Sequence, residues 1–105
     1  MAKKVKLEVS FTSRKAKPMV FIDDRKLSFR GGIARPTVEL GQKHMVHWYV
    51  GGTKGNVYEI DISASGRYVV TPKRVFKKPL KYKMKDTMEV GGRKFEVREK
   101  RPSEI

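Results

Sequence analysis

Val5, Leu7, Val9 and Phe11 alternate with Lys4, Lys6, Glu8 and Ser10. Successive side chains of a strand point to opposite faces, so this run predicts a half-buried strand with one wet face. Arg14 to Pro18 is polar and turn-like. Met19-Val20-Phe21-Ile22 is apolar on both faces, which suits a central strand. Asp23-Asp24 predicts a tight turn into Lys26-Leu27-Ser28-Phe29. A loop from Arg30 to Pro36 and a short strand over Thr37 to Leu40 follow, closed by Gly41.

Two hairpins are predicted further on. His44 to Val50 is rich in β-branched and aromatic residues, and Val57 to Ile62 alternates Tyr58, Ile60 and Ile62 with Glu59 and Asp61. The Gly-rich stretch Gly51 to Asn56 between them predicts an antiparallel pair with a flexible tip, whose Val46, Trp48 and Val50 meet Tyr58, Ile60 and Ile62 in the core. A turn at Ala64-Ser65-Gly66 leads into a strand from Arg67 to Thr71, ended by Pro72. Met88-Glu89-Val90, Gly91-Gly92 and Lys94 to Arg98 read as a second hairpin, with the glycines supplying the positive φ of a two-residue turn. The polar tail from Lys100 to Ile105 is expected to fray.

No window repeats apolar residues at helical spacing without an intruding Gly or Pro. Eight or nine short strands in 105 residues predict one all-β domain spanning the chain. The expected form is an antiparallel β-sandwich of immunoglobulin-like type, with Trp48 suited to its core, and a small β-barrel is the alternative. Without cysteine, no disulfide framework or thiolate metal site is available. The start, MAKKVKLEV, offers no apolar core for a signal peptide, and no stretch reaches the roughly 20 apolar residues of a membrane helix. A soluble cytoplasmic protein is the expectation.

Charge changes the picture more than composition does. With 25 basic and 11 acidic residues the net charge is +14, which favours an anionic partner. The excess concentrates in the run Lys73 to Lys85, KRVFKKPLKYKMK. On a strand, Lys81, Lys83 and Lys85 would project to one face about 6.8 Å apart, with Lys73, Arg74, Lys77 and Lys78 extending the comb. Phe76 and Tyr82 interleave with the charges; an exposed ring would stack on an unpaired base, although Tyr82 shares its register with Leu80 and Met84 and is read as core. The plain alternative is that the lysines guard a sheet edge.

Other chemistry is not expected. His44 and His47 lie three residues apart, so on a regular strand they face opposite ways and do not share a metal. Gly51 to Asn56 leads into a strand, where a phosphate-binding loop leads into a helix. Asp23 and Asp24 are neighbours at a turn and not a converging acid–base pair, and no nucleophile has an evident base. The sequence thus predicts a non-enzymatic binding module without cofactor, for an anionic polymer with nucleic acid leading. The alternative is a structural or adaptor domain that contacts a protein partner, or itself, through Met45, His47 and Tyr49 or an open sheet edge. Those three residues are expected to be covered within the fold, with a contact surface as the second choice. Adhesion to an anionic membrane ranks behind both, for want of an amphipathic helix.

Overall fold

A computed structural model describes residues 3–104. The first strand, β1 (Lys4–Ser13), buries Val5, Leu7, Val9 and Phe11 and leaves the residues between them wet, as the alternation dictates. The chain then runs through β2 (Lys17–Ile22), β3 (Arg25–Lys26), β4 (Ile33–Ala34), β5 (Thr37–Glu39), β6 (Lys43–Gly51), β7 (Val57–Ala64) and β8 (Tyr68–Thr71). A single helical turn, α1 (Lys73–Phe76), precedes β9 (Leu80–Lys83) and the long β10 (Met88–Glu99). A 3-10 turn at Pro102–Glu104 follows.

These strands make two antiparallel sheets. The first has the order β4-β1-β7-β9, with β5 also on β1; the second has the order β3-β2-β6-β10-β8. Neither closes on itself, so the architecture is a β-sandwich and not the barrel alternative. The inward residues of both sheets form one core around Trp48, Leu7, Ile22, Ile60, Ile62 and Met84. Asp23 (φ 48°) and Asp24 (φ 67°) form the two-residue turn between Ile22 and Arg25, with both central residues left-handed.

Both predicted hairpins are corrected. β6 pairs with β2 and β10, whereas β7 pairs with β1 and β9, so the two runs lie in opposite sheets. Their inward faces still meet across the core, where Trp48 Nε1 donates to the Tyr58 hydroxyl at 3.3 Å. Alternation defines which side chains point inward but not which sheet carries them. The connection is no loose tip: Gly55 N donates to Met84 O at 2.8 Å, Met84 N to Asn56 O at 2.7 Å and Gly52 N to Thr87 O at 2.9 Å.

The second correction concerns Gly91-Gly92, which forms no turn. Both glycines lie within β10, a continuous strand of 12 residues. Gly91 stands opposite Trp48, and a Cβ there would lie 2.4 Å from the indole carbons Cε2 and Cζ2. The missing side chain is the seat of the indole ring. The tail expected to fray also makes contacts: Lys100 N donates to Arg67 O at 2.6 Å, and Glu104 accepts from Arg98 Nη1 and Arg101 N, both at 2.9 Å. Ile105 lies outside the described residues.

Candidate functional site

Two surfaces stand out, on different parts of the sandwich. The first is the edge where the sheets meet through α1 and β9. Pro72 has no N–H with which to continue β8, and the chain crosses from the second sheet to the first at this point. The predicted helix-free run thus contains one helical turn. Its Val75 and Phe76 are half-buried, and the Phe76 ring meets Phe95 edge-on at 6.1 Å. Lys73, Arg74, Lys77 and Lys78 stay exposed.

On β9, Lys81 and Lys83 point outward while Tyr82 turns in, its ring 5.7 Å from Trp48 and 5.5 Å from Tyr58. Tyr82 is therefore packing and offers no stacking platform. Beyond β9, Lys85 sits in a turn beside Asp86, and its backbone N donates to Glu89 Oε1 at 2.6 Å. Lys73 is paired with Glu104. Among the described residues, Arg74, Lys77, Lys78, Lys81 and Lys83 have no carboxylate within 4.0 Å, although Lys81 stands opposite Glu59 on β7. The basic run thus lies on α1, the turn after it, β9 and the turn beyond, with Lys73 matched by Glu104; the Lys85 contact to Glu89 is through its backbone N–H and leaves its ammonium outside any ion pair among the described residues. Beside it lies a groove of about 510 Å³, floored by Val69, Val70 and Phe76 and rimmed by Lys73, Arg74 and Lys77.

The second surface is the outer face of the second sheet. Met19, Tyr49 and Val90 stand side by side across β2, β6 and β10; the next row is Phe21, His47 and Gly92. Among the described residues no element packs over this face, so Met45 and Tyr49 are exposed against the expected coverage, while His47 is half-buried by its neighbours in the sheet. Met45 is 40 % exposed, Tyr49 41 %, Met19 45 %, Met88 57 % and Val90 65 %. Phe21 stacks on His47 at 5.0 Å, and Tyr49 meets both rings edge-on. Gly92 leaves room for Met45 and His47 to lie over the β10 backbone, since a Cβ there would come 3.3 Å from Met45 Cε and 3.5 Å from His47 Cβ. The sequence reading found Met45, His47 and Tyr49 but missed Met19, Phe21, Met88 and Val90. For the first two a signal existed, because Met19 and Phe21 alternate with the inward Val20 and Ile22.

His44, Tyr58, Asp61 and Glu104 are held by contacts or burial within the fold. His44 faces inward and His47 outward, on opposite faces of β6. The His44 ring lies between the Asp23 carboxylate at Nδ1 and the Glu39 carbonyl at Nε2, 2.8 Å away. Asp23 also accepts from Met45 N at 2.9 Å, which ties the β2–β3 turn to β6. Burial pushes the Tyr58 hydroxyl above its ordinary pKa, against the Trp48 hydrogen bond. Burial likewise raises Asp61, with Glu8 adding to the effect and the Ile62 backbone N–H opposing it. The Arg98 guanidinium, Lys73 and the Arg101 N–H hold Glu104 far below the usual carboxylate range. Among the described residues, no three His, Asp or Glu side chains gather as metal ligands, and no helix is long and apolar enough to cross a membrane. No protein family, curated protein or solved structure matches the chain.

Proposed function

We propose that this sandwich is a non-catalytic binding module for an anionic polymer, with nucleic acid as the leading ligand and the cytoplasm as its compartment. The observation that supports this reading is that, among the described residues, Arg74, Lys77, Lys78, Lys81 and Lys83 on α1, the turn after it and β9 have no carboxylate within 4.0 Å. The Lys and Arg side chains on these elements displace the counterions condensed on the phosphates, so binding is fast, weakly selective for sequence and sensitive to salt. The Phe76 groove supplies an apolar floor within reach of a phosphate backbone held by its basic rim. Five phosphate contacts on a single strand give a slope of log K against log salt of about −3.5. The double variant Lys81→Glu, Lys83→Glu is expected to weaken binding to a single-stranded oligonucleotide and flatten that slope to about −2. Fluorescence anisotropy across a salt series measures both, and a flat salt response in the parent protein defeats the reading.

The exposed outer face of the second sheet favours a second reading, an adaptor domain in a protein assembly. We infer an immunoglobulin-like arrangement of these strands as architecture alone. β1–β5, β2–β6 and β6–β10 pair as the B–E, C–F and F–G strands of that sandwich do. But β7, which flanks β1 on its other side, follows β6 in the chain instead of opening it. Light scattering at high salt tests the adaptor reading on its own, since a complex that persists there is not held by phosphate contacts.

A further inference from the structure

Among the described residues, the longest unpaired strand edge is the first part of β10. On one side β6 pairs with Met88 through Glu96; on the other, β8 pairs only with Glu96 through Glu99. The Phe76 ring lies against Phe95 at one end, and at the other the chain turns away toward β9. The free stretch between is Met88 to Lys94. Such an edge presents a row of N–H and C=O groups ready for another strand. A side chain stands in for that strand at one point: Arg93 Nη1 donates to Gly92 O at 2.9 Å. The other edges are protected by shortness or charge, with β3 two residues long and β9 four residues long and carrying Lys81 and Lys83.

We propose that this edge pairs with the same edge of a second copy of the chain, antiparallel and centred on Gly91. The inference rests on the second reading above and supplies its partner. A two-fold contact is self-complementary, so residue i meets j and j meets i. Gly91 is the middle of Met88 to Lys94, and centring there sets Glu89 of each chain opposite the partner's Arg93, twice. Residues four apart on a strand share a face, so the two side chains meet. Val90 falls opposite the partner's Gly92, where no side chain crowds it. The pairing joins two second sheets edge to edge and merges their exposed apolar rows into one surface.

Two chains of +14 repel each other, and the contact involves one short strand from each copy. Association is therefore weak and strengthens as salt screens the repulsion. That dependence is opposite in sign to phosphate binding. Sedimentation of the full chain over a concentration series, at about 0.1 M and about 1 M salt, reads it directly. The mass is expected to climb from 12.1 kDa toward twice that value at high salt. Glu89→Arg or Arg93→Glu alone sets like charges against each other and weakens the dimer about tenfold. The double variant Glu89→Arg, Arg93→Glu restores it. Slowed amide exchange at β10 on dimerisation supports the register. A monomer under all conditions overturns the inference, and so does a dimer that ignores the single variants or is not restored by the double. A dimer whose protection maps to Met19 and Tyr49, leaving the β10 edge unprotected, overturns it too, while leaving the adaptor reading standing.

Discussion

Replacing Gly91 by alanine puts the packing of the core to a direct test. The added Cβ would stand 2.4 Å from Trp48 Cε2 and Cζ2 and 2.6 Å from Nε1. Carbon atoms rest at about 3.5 Å or more, so indole and strand must separate by about 1 Å. There is little room for this. Trp48 is 1 % exposed, its Nε1 is bonded to the Tyr58 hydroxyl, and the Tyr82 ring lies 5.7 Å away. Overpacking a close-packed core costs about 1–3 kcal/mol, and a clash against a fused ring belongs at the upper end. For a domain of this size that lowers the melting temperature by on the order of 15 °C. Trp48 is the single tryptophan, so its fluorescence reports the transition beside circular dichroism. Gly92→Ala is the control. Its Cβ meets the flexible end of Met45 and the Val46 carbonyl oxygen, both at 3.3 Å, and the expected loss is below about 1 kcal/mol. In a Trp48→Phe background the Gly91→Ala loss should shrink by about 1–2 kcal/mol, as coupled neighbours do. Equal losses at Gly91 and Gly92 would refute the reasoning, because they are what a glycine turn predicts and a seated indole does not.

Two further outcomes follow from the titratable groups. His44→Ala removes a buried ring, leaves the Glu39 carbonyl without its ring partner and leaves Asp23 with its Met45 N–H bond alone, which should cost about 2 kcal/mol in urea unfolding and loosen the turn at Asp23. Asp61→Asn should stabilise the protein at neutral pH by less than about 1 kcal/mol. Its folded pKa is raised by burial, so the penalty on the charged form is complete above that pKa, fades as pH falls, and is absent below the ordinary value near 3.8. Melting the two proteins across that range should bring their curves together in acid; a difference that grows in acid contradicts the assignment.

Most of the strands are legible in the chain because burial imposes a period of two. β1, β6, β7 and β9 fall where alternation places them. What alternation does not carry is the partner of each strand. In β6 and β7 the inward faces are the same whether the two runs pair side by side or face each other across a core. The Gly-rich stretch between them reads as a hairpin tip, but its backbone is pinned to Met84 and Thr87, 28 to 35 positions downstream. Gly91 shows the same ambiguity at one residue. A glycine marks either a positive φ or a close approach, and here the Trp48 ring, 43 positions upstream in the chain, decides for the second.

The two candidate surfaces differ in how far the sequence reveals them, for a physical reason. The basic edge is local: Lys73 to Lys83 are consecutive, and one helical turn followed by one short strand keeps them together however the sheets are ordered. The apolar face is assembled from β2, β6 and β10, which stand side by side only in the folded sheet, so Met19, Tyr49 and Val90 share a row that no window of sequence contains. Its exposure is also asymmetric with respect to charge. Lys17 and Lys94 border the face while its centre carries methionine and aromatic side chains, the composition of an interface core within a polar rim. Val90, 65 % exposed, stands where this face meets the free edge of β10, so the apolar row runs out to that edge. The face and the edge beside it are the grounds for the proposed protein contact, and salt separates that proposal from the phosphate contact proposed at β9.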